Sequence, residues 1–401
     1  MLNITDTKIE NTLIPVFRLA FRPFFLFGCL FSLFAMALWF ASLSGYFVFT
    51  PYGGLAFWHS HEMLYGFTCA IVVGFLLTAV QNWTGINGLR GTPLVILFCL
   101  WLLSRVLLLF SLDIPNTIIL MVDCLFLPLA AYFLSRPLIA VRQTRNLFFV
   151  PILLMLTAGN ITSHLGLIKN SPDLIQLGNH IAIWLIVMLM TIIGGRVIPF
   201  FTANGTGTIK ASPLPWLEYL TIGFTAFIFL LEIIKASTVI PDVVMAVLLC
   251  CAGLLHLYRW LRWRFTITLK VPLLWSLHIG YLFIPAGLLL MGMSYVSDAI
   301  SYSHALHALT AGAMANMILA MISRVSLGHT GRPLHPNSLM ILGFTALIVA
   351  GLSRALGPII FPSQTLTFYQ LSMIGWIIGF GLFIACYTHI LVSARTDGRP
   401  G

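Results

Sequence analysis

The chain has 401 residues, of which 59% are hydrophobic and only 8% are charged, and its mean hydropathy is +1.00. A soluble fold cannot bury so large an apolar fraction, so soluble enzymes and soluble binding domains are excluded. An integral membrane protein in contact with the lipid bilayer is indicated. In a membrane protein, a net charge of +10 usually reflects an excess of Lys and Arg in cytoplasmic loops and not a nucleic-acid-binding surface. We therefore expect no nucleic-acid partner.

Apolar runs separated by turn residues predict twelve membrane-spanning helices. In chain order they cover residues 24–44, 57–81, 93–112, 115–135, 148–168, 174–200, 216–235, 240–258, 272–295, 300–323, 337–356 and 366–392. The breaks between them contain Gly, Pro and Asn, which are typical of turns. We therefore expect an all-α, polytopic bundle that forms a single domain over residues 1–401, with no soluble domain.

The distribution of charge predicts the orientation of this bundle. If the amino terminus is cytoplasmic, 17 of the 21 Lys and Arg residues fall on the inner loops and flanks, whereas seven of the 11 acidic residues fall on the outer half. This asymmetry satisfies the positive-inside rule and favours an even number of crossings with both termini cytoplasmic. A cation would approach more easily from the negatively charged outer side.

Histidines are concentrated at one predicted depth. Six of the eleven lie within roughly 10 Å of the outer boundary: His59, His61, His164, His180, His304 and His307. Imidazole is costly in hydrocarbon unless it has a partner, so this layer is a candidate functional site. Haem ligation, copper ligation and proton relay are the tasks that suit it.

Spacing separates these histidines into pairs. His304 and His307 share a helix face and could bind one metal ion together. His59 and His61 point about 200° apart on a helix, so they serve different sites unless the helix begins after His61. We therefore expect two centres. One uses His304 and His307, and the other uses one histidine of the 59/61 pair with His164 or His180.

The sequence also predicts the surroundings of the other polar residues within or near the spans. Arg105 lies mid-span, where a charge is costly, and we expect it to face Asp123 or a haem propionate. Glu62 could pair with the neighbouring imidazole of His61 or carry a proton. The histidines near inner helix ends, among them His256, are expected to reach toward lipid headgroups, and His329 is expected in a solvated inner loop.

Several stretches of the sequence resemble the NnrS family of bacterial inner-membrane proteins. They are FRPFF at 21–25, WHSHEMLYGF at 58–67, GFLLTAVQNWTG at 74–85, GGRVIPFFT at 194–202 and HALTAGAMANMILAMISRVSLGHTGRPL at 307–334. Gln81 departs from the family pattern, which has proline there. The resemblance covers the whole chain. It implies a role in the nitric oxide response with haem, expected as b-type, and copper as cofactors, but it does not say which histidine binds which.

The leading hypothesis is a haem- and copper-binding inner-membrane protein that contributes to nitrosative-stress tolerance, with metal centres near the periplasmic side. His59, His61, His164, His180 and Arg105 are the candidates for cofactor binding, and His304, His307, His59 and His61 are the candidates for metal binding. The alternative is a proton- or cation-coupled transporter of small solutes that uses the same outer layer. Catalytic redox chemistry on nitric oxide is left open, because no electron-donor domain is visible.

Overall fold

The computed structural model describes residues 12–110 and 114–398, and all regular elements in these ranges are helices. Eleven of them are long and apolar enough to cross a membrane, and a shorter apolar helix of 17 residues lies between the last two. We number the twelve in chain order: α1 Phe21–Leu43, α2 Leu55–Thr84, α3 Thr92–Leu109, α4 Asn116–Ala140, α5 Thr144–Ile168, α6 Pro172–Thr206, α7 Pro215–Ile233, α8 Asp242–Leu261, α9 Pro272–Ser294, α10 Tyr302–His329, α11 Leu339–Ala355 and α12 Pro362–Val392. Each overlaps one predicted span, which confirms the all-α polytopic class.

Two helices extend further than the sequence predicted. The sixth predicted span, 174–200, ends too early, because α6 continues to Thr206 before Gly207, whose φ of +65° ends it. Likewise α10 continues to His329, so the prediction that this histidine lies in a loop was wrong. Both errors have one cause. Hydropathy marks where a helix leaves the hydrocarbon, and a helix of polar residues can continue beyond that point.

The helices group into two compact units. The first comprises Met1–Ala182, Val325–Leu334 and Phe383–Gly401, and the second comprises Ile183–Arg324 and His335–Leu382. The expectation of one domain over the whole chain stays a prediction. The charge count behind the predicted orientation includes Asp6, Lys8, Glu10, Asp113 and Arg399, which lie outside the described residues.

In the first unit, α1 packs closely against α2. A Cβ on Gly74 would lie only 2.8 Å from Phe24 Cβ, so this glycine allows the two helices to approach each other. The first backbone N–H of α1, on Phe21, donates to Thr78 Oγ1 at 2.9 Å. Arg22 donates to the carbonyls of Leu391 and Ser393 near the end of α12, at 2.8 and 2.6 Å.

In the second unit, α9 packs against α8 and against the middle of α10. A Cβ on Gly312 would be less than 3 Å from the ring of Phe283, so this glycine permits α9 and α10 to approach each other closely. Gly312 belongs to a π-helical segment, Ala308–Met314, that begins directly after His307.

Candidate metal centre

The candidate metal centre lies in the first unit, where α2 changes its helical geometry. Gly53 and Gly54, with φ of +74° and +81°, turn the chain into α2. The α-helical residues Leu55–His61 then pass directly into a π-helical segment, Glu62–Thr68. π-Helical turns are rare and occur frequently at functional sites. His61, the last α-helical residue, and Glu62, the first π-helical residue, both belong to the centre.

Gly66 in the π-segment leaves the space that Arg105 of α3 needs. A Cβ there would lie 2.5 Å from Arg105 Nη1 and 3.0 Å from Glu62 Oε2. The carbonyl of Gly66 also accepts a hydrogen bond of 2.9 Å from Trp101 Nε1. The π-segment is therefore fixed by two side chains of α3, and its glycine permits the close approach.

Arg105 binds two carboxylates. Its Nη1 donates to Glu62 Oε1 at 2.5 Å, and its Nη2 donates to Asp123 Oδ1 of α4. The three side chains are at most 5% exposed. Of the two partners predicted for this arginine, the structure supplies Asp123. Two carboxyl groups therefore share one guanidinium.

Two histidines meet at Asp123. His61 Nε2 lies 3.3 Å from Asp123 Oδ2, and His164 Nε2 of α5 lies 3.2 Å from the same oxygen. Both imidazoles are at most 1% exposed. Asn160, one turn before His164, donates to Asp123 Oδ2 at 2.7 Å, and its Oδ1 is 2.8 Å from His61 Nε2.

The other ring nitrogen of each histidine has its own partner. His61 Nδ1 lies 2.9 Å from Glu62 Oε1, and His164 Nδ1 lies 3.3 Å from the Tyr52 hydroxyl. Tyr52 precedes α2. Burial, together with the nearby charge of Asp123, raises the pKa of its hydroxyl to about 12, so the hydroxyl keeps its proton near neutrality. Metal-binding histidines typically have one nitrogen held in this way while the other faces the ion.

The distances suit a metal ion. One ligand atom each from His61, Asp123 and His164 lie within 4.8 Å of one another, and the described residues contain no other such group of three. Ligands about 2.0–2.1 Å from a tetrahedral ion are roughly 3.3 Å apart, which matches both histidine-to-carboxylate separations. Two imidazoles and one carboxylate suit Cu(II), Zn(II) or Fe(II).

His59 and His180, also predicted as ligands, are not part of this triad. His59 stacks on Trp39, with ring centroids 4.2 Å apart and an interplanar angle of 13°. His61 instead faces His164, with centroids 5.0 Å apart. The two histidines of the WHSH motif therefore occupy different environments, which agrees with their spacing of two residues.

His304 and His307 lie in the second unit, in the first turns of α10. His304 Nε2 is 3.0 Å from the hydroxyl of Tyr369, and His307 Nδ1 is 2.7 Å from the carbonyl of Ser303. A backbone carbonyl can only accept, so Nδ1 of His307 carries the proton and Nε2 carries the lone pair. This tautomer suits a metal-binding imidazole.

Sequence reasoning missed two features. It gave no role to Asn160, although an Asn and a His one turn apart in an apolar helix are a detectable signal. It also predicted that His256 reaches toward lipid headgroups, which is wrong. His256 is fully buried and contacts Thr225 Oγ1 at 3.0 Å and the Tyr281 hydroxyl at 2.8 Å, because neighbouring helices supply its partners.

The sequence profile of one protein family, described as NnrS protein, matches residues 15–395. The match includes all twelve helices and therefore both histidine sites. No curated protein matches the chain.

Proposed function

This chain belongs to the NnrS family of membrane proteins of the nitric oxide response, and from that premise we propose that it binds copper at the triad of His61, Asp123 and His164 and binds haem at His307. The protein thereby contributes to nitrosative-stress tolerance. When bound, haem iron and copper supply centres that bind nitric oxide and change oxidation state.

One observation carries the assignment of copper. Nε2 of His61, which also contacts Asn160 Oδ1, and Nε2 of His164 both lie within 3.3 Å of a single oxygen of Asp123, while both Nδ1 atoms are held by other side chains. The nitrogen and oxygen donors match the preference of Cu(II), and the resemblance to the family selects copper among the ions that fit.

Charge supports the same assignment. Arg105 is the arginine that pairs with both Glu62 and Asp123, and metal-binding imidazoles are neutral, so with both carboxyl groups ionised a cation at the triad balances the remaining negative charge. In addition, Glu62 Oε2 is buried and accepts no hydrogen bond from the described residues. A bare metal ion suits this arrangement better than haem does, because Arg105 is already bound by two carboxylates.

The haem assignment rests on the second unit. His307 presents Nε2 in the tautomer that ligates iron. Its helix becomes π-helical at the next residue, as α2 does after His61. This proposal makes His304 and His307 members of the same centre, as their spacing predicts, and His307 would be the residue that holds the iron.

We place the protein in the bacterial inner membrane with both termini cytoplasmic and both centres near the periplasmic side. The excess of Lys and Arg on alternate loops supports this orientation. Nitric oxide is uncharged and can reach such centres through the lipid. Its turnover would require an electron donor, which is a separate question from binding.

The test is the cofactor content of the purified full-length protein. Protein from haem- and copper-replete cells should contain copper by elemental analysis and should show a Soret band that shifts on reduction. Electron paramagnetic resonance spectra of the bound Cu(II) should show hyperfine coupling to two nitrogen atoms. A colourless protein without copper would overturn the proposal.

A proton-coupled transporter is the second candidate, because an intramembrane chain of Glu62, His61, Asp123 and His164 is also typical of proton pathways. Proton flux into liposomes that contain the metal-free protein distinguishes the two. Flux that is lost in Asp123→Asn would favour transport.

A further inference from the structure

Tyr369 of α12 contacts side chains from two other helices of the second unit. Its hydroxyl lies 3.0 Å from His304 Nε2, and the guanidinium carbon of Arg354, at the end of α11, lies 4.0 Å from the centre of its ring. The cluster is not part of the metal triad, and it does not contain His307, the iron ligand proposed above.

Two nitrogens of this cluster are buried without a hydrogen-bond partner. They are Nη1 of Arg354 and Nδ1 of His304. Buried polar groups are nearly always satisfied, so two such atoms beside one tyrosine require an explanation. A guanidinium nitrogen can only donate, and the group that satisfies it must therefore be an acceptor.

The second nitrogen can also donate. When the Tyr369 hydroxyl donates to His304 Nε2, the ring carries its own proton on Nδ1. The cluster then holds two unsatisfied N–H donors and one positive charge. None of the described carboxylates forms an ion pair with Arg354. A negatively charged hydrogen-bond acceptor would satisfy both donors and balance the positive charge.

We propose that Arg354, His304 and Tyr369 form a binding site for a carboxylate group. A guanidinium matches a carboxylate in geometry, because its planar N–H groups can donate to both oxygens. Two sources supply this chemistry, a haem propionate and a free small carboxylate. The haem source rests on the function proposed above, because His307 lies three residues from His304, whereas the carboxylate site does not depend on it.

The first experiment compares haem with its dimethyl ester, which lacks the propionate charges. Haem-free, detergent-solubilised protein is titrated with each compound. Wild type should bind haem roughly 10- to 100-fold more tightly than the ester, because charged hydrogen bonds are lost in the ester. Arg354→Gln should remove most of this preference, and Tyr369→Phe should reduce it while keeping the ring. An unchanged preference in Arg354→Gln would overturn the propionate assignment.

Arg324→Gln is the matched control. This arginine lies in the same unit, and its guanidinium carbon also lies 4.0 Å from the centre of an aromatic ring, that of Phe201. Unlike Tyr369, Phe201 has no hydroxyl that could hydrogen-bond to a histidine. Arg324→Gln should keep the wild-type preference. Size-exclusion profiles of all variants separate loss of folding from loss of binding, and Arg354→Lys provides a variant that retains the charge without the planar group.

The second experiment separates this inference from the proposed function. If wild type binds neither haem nor the ester, the haem proposal fails, and calorimetric titration of the same protein with formate then tests the carboxylate site alone. Formate binding that is weakened at least tenfold in Arg354→Gln, but not in Arg324→Gln, supports it. Equal binding in all three proteins, or no binding, overturns it.

Discussion

The imidazole rings of His61 and His164 lie 5.0 Å apart at an angle of 70°, and both direct Nε2 at the same oxygen of Asp123. These histidines are separated by about a hundred residues and come from α2 and α5. Each is held by a different polar partner through its other nitrogen. One nitrogen of each ring and one oxygen of Asp123 are close enough together to bind the same cation.

The first prediction concerns the ligands of this centre. His61→Ala and His164→Ala should each remove the bound copper, because either change leaves only two protein ligands. His59→Ala should retain it, since His59 stacks on Trp39 instead. Elemental analysis of the purified variants measures the effect. Copper loss in His59→Ala with retention in His61→Ala would contradict the assignment.

The second prediction concerns Tyr52, which orients His164 without contacting the ion. Tyr52→Phe keeps the ring but removes the partner of Nδ1, so copper affinity should fall about 10- to 100-fold with little change in folding. Competition with a copper chelator gives the affinity. Tyr295→Phe, a tyrosine of the second unit, is the control and should bind copper as wild type does.

The third prediction concerns the glycine that accommodates Arg105. Gly66→Ala places a Cβ 2.5 Å from Arg105 Nη1, so the ion network must shift, and stability should fall by about 1–3 kcal/mol. Gly223→Ala is the control, because a Cβ there contacts nothing within 4 Å and alanine is the better helix former. Thermal unfolding in detergent should show a lower midpoint for Gly66→Ala alone.

The fourth prediction concerns haem. His307→Ala should abolish the Soret band because it removes the proposed iron ligand, and His304→Ala should lower haem content less severely. His389→Ala is the control, because this residue is exposed and its ring hydrogen-bonds to Ser393, directly after the end of α12. Haem per protein is measured after conversion to the pyridine complex. Haem loss in His389→Ala with retention in His307→Ala would exclude the second centre from α10.

The fifth prediction concerns orientation. Both termini should be cytoplasmic, because the 17 to 4 distribution of Lys and Arg opposes an odd number of crossings. A carboxyl-terminal fluorescent protein that is active only in the cytoplasm should be bright, and a periplasmic alkaline phosphatase fused there should be inactive. The reverse pattern would show that the orientation is wrong.

The sequence by itself determined which segments form membrane helices. Membrane helices follow from apolar runs of sufficient length, which is a local property, and each predicted span overlaps an observed helix. The local spacing of two residues also predicted that His59 and His61 face different surroundings. Because a charged side chain is costly in the hydrocarbon region, the sequence also identified Arg105 as a residue that needs a partner.

Only the tertiary structure decided which side chains meet. The convergence of His61, Asp123 and His164 depends on how α2, α4 and α5 pack and on the π-segment that begins at Glu62, and neither is encoded in hydropathy. The same applies to Asn160 and to Arg354, whose partners come from other helices. In lipid, apolar residues specify that a helix spans the bilayer but not its rotation, which is set by contacts with its neighbours.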